Sequence, residues 1–169
     1  MSPRVHALVM AGLCVLVVPL ALLSWRPLAR RRGWAPVPTL LLLLTGGLCF
    51  AITLPDQIAP SVLRRLHECV VEGGAGVRTL GAGPGHQLVN VLLWIPPALC
   101  GVLATRRALA VPLLVSATWA GVELLQTLDP VRDCQPADWA HNTLGAAIGA
   151  LLGWLALRIA RRRRGAAAP

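Results

Sequence analysis

The sequence predicts an all-α, polytopic membrane protein with about five transmembrane helices. Of its 169 residues, 56% are hydrophobic and 14% are charged, whereas soluble domains carry about 25% charged residues. The apolar residues also form runs long enough to cross a bilayer, whose core takes roughly 20 residues of helix. Five runs have this length: residues 5–24, 37–54, 86–104, 108–128 and 137–159.

These runs occupy most of the chain and leave no room for a separate soluble domain. They divide it into a first helix with an arginine-rich cytoplasmic turn (residues 1–36), a four-helix membrane domain (37–160) and a cytoplasmic basic tail (161–169). Pro96 and Pro97 fall inside the third run, where proline removes backbone hydrogen bonds and bends a helix. We expect this bend to open space beneath the outer ends of the helices.

The basic residues predict the orientation of the chain in the membrane. The net charge is +9 and all 16 basic residues are arginines. In a soluble protein this balance would suggest nucleic acid. Here the arginines form short blocks between apolar runs, which is typical of segments that stay in the cytoplasm. The blocks are Arg30 to Arg32, Arg106 with Arg107, and Arg161 to Arg164.

Five crossings place these three blocks on the same side. We therefore expect the N-terminus outside, the C-terminus inside and no nucleic-acid partner. Arginine without lysine, together with abundant Ala, Gly and Leu, is typical of a GC-rich bacterial genome. The predicted location is the bacterial cell (plasma) membrane, which the chain crosses several times.

Two cysteines fall in the predicted outer loops, Cys69 in a long loop at residues 55–85 and Cys134 in a short one. The extracytoplasmic side favours disulfides, so we predict a Cys69–Cys134 bond, with two unrelated thiols as the alternative. The other three cysteines lie within apolar runs and are expected to be small buried hydrophobic residues.

Polar side chains within the membrane are costly and usually mark function, and in this chain they cluster near the predicted outer ends of three helices. Glu123 and Gln126 are three residues apart, and Asp138 and Asn142 four, so each pair shares a helix face. Gly145, Gly149 and Gly153 continue the second face, as small residues do where two helices approach closely. The candidate binding residues are Asn90, Gln126, Arg132, His141 and Asn142.

The chemistry of these residues leaves alternatives open. Glu123 and Asp138 are the candidates for a general acid and base, and Arg132 for the counter-ion of Glu123 or the anchor of an anionic group. The same set could only lock three helices together, and Asp138 could only be a helix N-cap. His141 fits proton transfer or a solvated position. The spacing is not that of metal ligands, and we expect neither a metal nor a cofactor.

The ordered set of these residues resembles the VanZ-like family of bacterial integral membrane proteins. The matching pieces are NVLLWIP (residues 90–96), ELLQ (123–126), Arg132, Asp138, and NTLG (142–145) through Gly149. The resemblance covers residues 40–158 and departs from the family at Pro97 and Ala98. It implies a four-helix membrane fold and, through the named member of the family, a link to low-level resistance to the glycopeptide antibiotic teicoplanin.

Two functions follow as hypotheses. In the first, an outer polar pocket binds a membrane lipid or a lipid-linked cell-envelope precursor, with or without catalysis. In the second, the chain is a non-catalytic scaffold whose glycine face packs on a membrane-protein partner. A small transporter is weakened because the inner halves of the predicted helices carry no matching polar groups.

Overall fold

The computed structural model describes residues 3–53, 63–64, 67, 84–126 and 136–166. Over these residues the chain is helical apart from short turns, as predicted. The long helices are α1 (Pro3–Arg32), α2 (Pro36–Thr53), α3 (Pro84–Thr105), α4 (Ala110–Gln126) and α5 (Pro136–Ala166).

Four of the helices are long and apolar enough to cross a membrane: Leu8–Arg32, Pro36–Thr53, Gln87–Thr105 and Ala137–Gly165. The run predicted at 108–128 appears as the shorter apolar helix Ala110–Gln126, and residues 127 and 128 lie outside the described part of the chain. Its 17 residues rise about 26 Å, slightly less than the bilayer core of about 30 Å.

Two helices extend beyond the predicted apolar runs. The segment from Trp25 was expected to be a connecting loop, but α1 continues through it to Arg32, and α5 likewise continues to Ala166. Arginine has a high helix propensity and interacts favourably with the helix C-terminus, so the basic blocks prolong both helices. Gly33, at a φ of +64°, ends α1 in the left-handed conformation that glycine adopts most easily.

The helices pack in the spatial order α1, α2, α3, α5, α4, and α4 touches α3 only slightly. Backbone carbonyls of α3 lie against the glycines of α5 in the same order along both helices. The pairs are Val91 with Gly145, Ile95 with Gly149, and Leu99 with Gly153. The two helices are therefore parallel, and α4 between them in sequence runs the opposite way. We call the end where α2 and α4 finish and α3 and α5 begin the polar end, and the opposite end the arginine end.

The three arginine blocks share the arginine end, as the charge pattern predicts. The turn after α1 meets the end of α3, where the Ala35 amide donates a 3.1 Å hydrogen bond to the Ala104 carbonyl. Arg106 and Arg161 line one cavity. This arrangement is independent of which side of a membrane that end faces.

The closest helix contact joins α3 and α5 through the glycine face. A Cβ atom placed on Gly145 or Gly149 would overlap the carbonyl oxygen of Val91 or Ile95, and one on Gly153 would lie 2.9 Å from the Cβ of Val102. The prediction that this face packs on another helix is confirmed, and the helix is α3 of the same chain. Because lipid offers no hydrophobic drive for association, such close approach is a main source of helix pairing.

An aromatic group fills the centre of the bundle. Trp94 packs edge-to-face on Phe50 and on Trp119, with ring centroids 5.8 and 5.2 Å apart. Trp94 and Trp119 are each 2% exposed. Trp154, near the arginine end of α5, is 40% exposed, and the guanidinium of Arg158 lies over its ring.

Pro96 and Pro97 lie within α3, which remains helical from Pro84 to Thr105. Proline has no amide hydrogen, so Pro97 leaves the carbonyl of Leu93 without its helical donor. The thiol of Cys49 on α2 donates to this carbonyl at 3.2 Å. A buried carbonyl without a donor is unfavourable, so the thiol compensates for the proline.

We expect Cys49→Ala to lower the free energy of unfolding by about 1–2 kcal/mol, because the Leu93 carbonyl loses its donor. Cys49→Ser keeps a hydroxyl donor and should lose less. Thermal unfolding in detergent measures both, with Cys14→Ala, in the lipid-exposed α1, as the control. Equal losses for the alanine and serine variants would show that the thiol contributes only by packing.

Candidate functional site

The polar candidates on α4 lie on its buried face. Trp119, Val122, Glu123 and Gln126 are the buried residues of this helix, and their spacing of three and four residues is that of one helix face. Glu123 is 6% exposed. A carboxylate at this position is costly to desolvate, so its retention needs a reason beyond packing.

Gln126 joins α4 to α2 at the polar end. Its side-chain amide donates a 2.7 Å hydrogen bond to the carbonyl of Thr53, the last residue of α2. The last carbonyls of a helix have no donor within the helix, so Gln126 caps α2. Part of the predicted locking role is therefore real, and Gln126 performs it.

Asn142 is the most buried polar side chain of α5, at 3% exposure. It lies almost in line with Gly149 along the helix, on the face that α3 covers. Its Oδ1 atom accepts no hydrogen bond from the residues that the structure describes. A buried amide oxygen in this state costs about 1–3 kcal/mol, which is unexpected if Asn142 served only to hold helices together.

Two contacts define the relative heights of the helices toward the polar end. The hydroxyls of Ser116 on α4 and Thr143 on α5, which are 3.2 Å apart, place these two residues level. Gly145 of α5 lies so close to the Val91 carbonyl of α3 that an added Cβ would overlap it, so these two residues are level. From these points the height of any nearby residue follows at about 1.5 Å per residue.

Counted in this way, the candidate residues all lie toward the polar end but not at one depth. Asn142, three residues before Gly145, is level with Leu88 and so within about 3 Å of the height of Asn90. Glu123, seven residues beyond Ser116, lies about 10 Å farther out than Thr143, and Gln126 lies about one turn beyond Glu123. We call Asn90, Glu123, Gln126 and Asn142 the polar layer. The polar end of the bundle therefore holds a carboxylate and three carboxamides on α3, α4 and α5.

The remaining candidates are more exposed or lie outside the described residues. Asn90, Asp138 and His141 are half-buried. Asp138 lies in the first turn of α5, which begins at Pro136, where a carboxylate interacts favourably with the helix dipole. Three predicted residues fall in parts of the chain that are not described: Cys69, Arg132 and Cys134. The disulfide and the role of Arg132 stay predictions.

Ser116 is a residue of this region that sequence reasoning missed. Its carbonyl accepts a 3.1 Å bond from the Trp139 indole, and its hydroxyl lies 3.2 Å from that of Thr143. Trp139 and Thr143 are four residues apart and so face α4 together. The only sequence signal was a serine within an apolar run, and hydroxyls in membrane helices commonly bond their own backbone instead.

An apolar cavity of about 290 Å³ lies between α2, α3 and α4, where α4 stands away from α3. It extends from Phe50 and Trp94 at mid-height past Pro97 to Arg107 at the arginine end. Space is thus present below the polar layer and beside Pro97, and the predicted bend of α3 stays a prediction.

The donor set of the polar layer does not resemble a metal centre. Among the described residues, no group of three or more His, Cys, Asp or Glu side chains could hold a metal ion. What the layer offers is hydrogen bonding from a carboxylate and carboxamides, and the buried amide oxygen of Asn142 has no donor within the described residues.

Comparison with known proteins gives no match: no family model, no curated protein and no solved structure is significantly similar to the chain.

Proposed function

We propose that the chain is a VanZ-like protein of the bacterial cell membrane whose polar end binds the head of a membrane lipid or of a lipid-linked cell-envelope precursor. The observation that carries the proposal is the burial of Glu123, Gln126 and Asn142 at one end of the bundle. The arrangement of the helices and the unused hydrogen-bonding capacity of Asn142 support it.

The proposal includes five crossings with the polar end outside. Parallel packing of α3 and α5 requires the chain to return between them, and α4 is the helix that returns. The arginine end carries all three basic blocks, which favours the cytoplasmic side. The polar end then faces outward, toward the leaflet in which envelope precursors are used.

The polar layer suits a ligand rich in hydroxyl and amide groups. Asn142 Oδ1 can accept from such a donor. Carboxamides and carboxylates are the side chains that bind sugar or peptide groups by hydrogen bonds. In a catalytic version of this proposal, Glu123 or Asp138 is the general acid or base, and Arg132 holds an anionic head group.

The scaffold alternative needs a free glycine face on α5, and this face is already covered. Its partner was to pack on the glycine face, but α3 covers Gly145, Gly149 and Gly153. A transporter would need polar groups along a path across the bundle. Among the described residues, the buried amide and carboxylate side chains are confined to the polar end. A hydrogen-bonding site at the polar end therefore explains more of the described structure than a scaffold or a transporter does.

Asn142→Leu tests the binding site. The change removes a buried oxygen without a donor and keeps the side-chain size, so stability should be unchanged or rise by about 1 kcal/mol. Ligand retained after purification in native lipid, identified by mass spectrometry, should fall at least tenfold. Thr45→Val is the control, since Thr45 bonds only its own helix. A less stable protein with ligand retained would make Asn142 a structural residue and contradict the proposal.

Glu123→Gln tests the catalytic version separately. The amide is isosteric but cannot exchange a proton, so the teicoplanin-susceptibility phenotype of a strain that depends on this chain should be lost while expression and ligand retention persist. A normal phenotype at normal expression would refute catalysis by Glu123 and leave binding as the function.

A further inference from the structure

A second cavity, at the arginine end, combines positive charge with an aromatic wall. It has a volume of about 330 Å³ and lies between the α3–α4 turn and the last turns of α5. Its lining consists of Arg106, Ala108, Trp154, Leu157, Arg158 and Arg161. Three guanidinium groups thus line one cavity, and none of its lining residues is acidic.

Like charges in one cavity repel each other unless an anion lies between them. Arg162 to Arg164 on the same helix are not among the residues that line this cavity, although all six arginines are exposed. The convergence of Arg106 from one element with Arg158 and Arg161 from another therefore indicates a site for a negatively charged group.

The backbone at Arg106 gives a second, independent indication. Its φ of +61° lies in the left-handed region, which residues with a Cβ atom rarely adopt. The chain ends α1 with a residue of nearly the same φ, and there it uses glycine, Gly33. At Arg106 a side chain is kept where glycine would fit better, and such local strain is often associated with a functional site.

The aromatic wall orients one of the cations. The guanidinium of Arg158 lies over the Trp154 ring at 5.0 Å from its centroid. A guanidinium held over a ring in this way can still direct N–H groups to oxygen atoms. A planar N–H edge is suited to two oxygens of a phosphate.

The height of the cavity in the membrane identifies the source of the phosphate. Residues 138–157 rise about 30 Å, the thickness of the hydrocarbon core, so Arg158 and Arg161 lie where lipid phosphates lie. Next to them, α5 exposes Leu151, Leu155 and Ile159, an apolar surface for acyl chains. Basic pockets of this kind on the cytoplasmic side bind anionic head groups.

We propose that Arg106, Arg158 and Arg161, with Trp154, form a binding site for the phosphate head group of an anionic phospholipid in the leaflet at the arginine end. Arg106 and Arg158 hold the phosphate from two sides, which links the α3–α4 turn to the last turns of α5. The site is distinct from the polar layer at the opposite end of the bundle and does not depend on the proposed function.

Native mass spectrometry of the full chain in a neutral detergent tests the site, with phosphatidylglycerol and phosphatidylcholine as probes. The wild-type protein should retain phosphatidylglycerol in preference to phosphatidylcholine. Arg158→Gln and Arg161→Gln should each weaken this binding by roughly tenfold, as expected for the loss of a charge-assisted hydrogen bond. Arg163→Gln removes the same charge from the same helix outside the cavity and should weaken it by threefold at most.

Arg106→Gly gives the sharpest outcome, because it removes the guanidinium and relieves the strained backbone at the same time. In lipid-free detergent its melting temperature should equal or exceed that of the wild-type protein. The rise in melting temperature on adding phosphatidylglycerol should be lost. Equal losses of binding in Arg163→Gln and the cavity variants would overturn the site, as would equal binding of the two lipids. Displacement of phosphatidylglycerol by glycerol phosphate at equal concentration would overturn its assignment to a lipid.

Discussion

Replacing Gly145 by alanine is expected to lower the free energy of unfolding by about 3 kcal/mol or more, the upper range for overpacking. The added Cβ would overlap the backbone oxygen of Val91, and a backbone atom cannot turn aside as a side chain can. The α3–α5 pair would have to separate, and with it the layer that contains Asn142. Gly149→Ala should behave in the same way, since its Cβ would meet the Ile95 carbonyl.

Gly121→Ala on α4 is the matched control. A Cβ there meets nothing within 4 Å, and alanine favours a helix over glycine by up to about 1 kcal/mol. Thermal unfolding in detergent should therefore give opposite signs for the same chemical change on α4 and on α5. Comparable stability of the Gly145, Gly149 and Gly121 variants would mean that α3 and α5 do not pack as closely as described.

Trp94→Ala is expected to cost about 3–5 kcal/mol, the range for removing a large buried aromatic side chain. Trp94 is the middle ring of the group that joins α2, α3 and α4, between Phe50 and Trp119. Trp94→Phe should cost much less, about 1 kcal/mol. The phenyl ring keeps an aromatic contact, and the change removes an indole N–H that has no acceptor among the described residues.

Trp154→Ala is the control for this comparison, measured by thermal unfolding in detergent without anionic lipid. Trp154 is 40% exposed, so its loss should stay within about 1 kcal/mol. A large loss for Trp94→Phe, close to that of the alanine variant, would show that the indole N–H has a bonding partner or that the ring edge is needed for packing.

The existence and approximate position of the helices could be predicted because run length and flanking breakers determine them. The ends of the helices could not be predicted, because arginine is both a topology signal and a good helix former. Thus α1 and α5 continue through their basic blocks. The apolar run at 108–128 also carried no sign that α4 would be the helix standing apart from α3.

Which faces meet was predictable only where small or polar residues mark them. The glycines of α5 and the pair Glu123 and Gln126 indicate buried faces, and both are buried. Elsewhere lipid tails are as apolar as leucine, so the composition of a face does not reveal whether protein or lipid covers it. The bonds of Cys49 to Leu93 and of Trp139 to Ser116 depend on exact helix heights, which periodicity does not provide.

The parallel pairing of α3 and α5 has a consequence for biosynthesis. The α1–α2 hairpin consists of neighbours in sequence and can form while the rest of the chain is still on the ribosome. The closest pair cannot, because α4 must be threaded back before Gly145 can reach Val91. The polar layer is therefore completed last, after the final helix has been inserted. A nascent chain arrested before α5 would leave Ser116 of α4 without Trp139 and Thr143, its partners on α5, a state suited to recognition by membrane quality-control proteases.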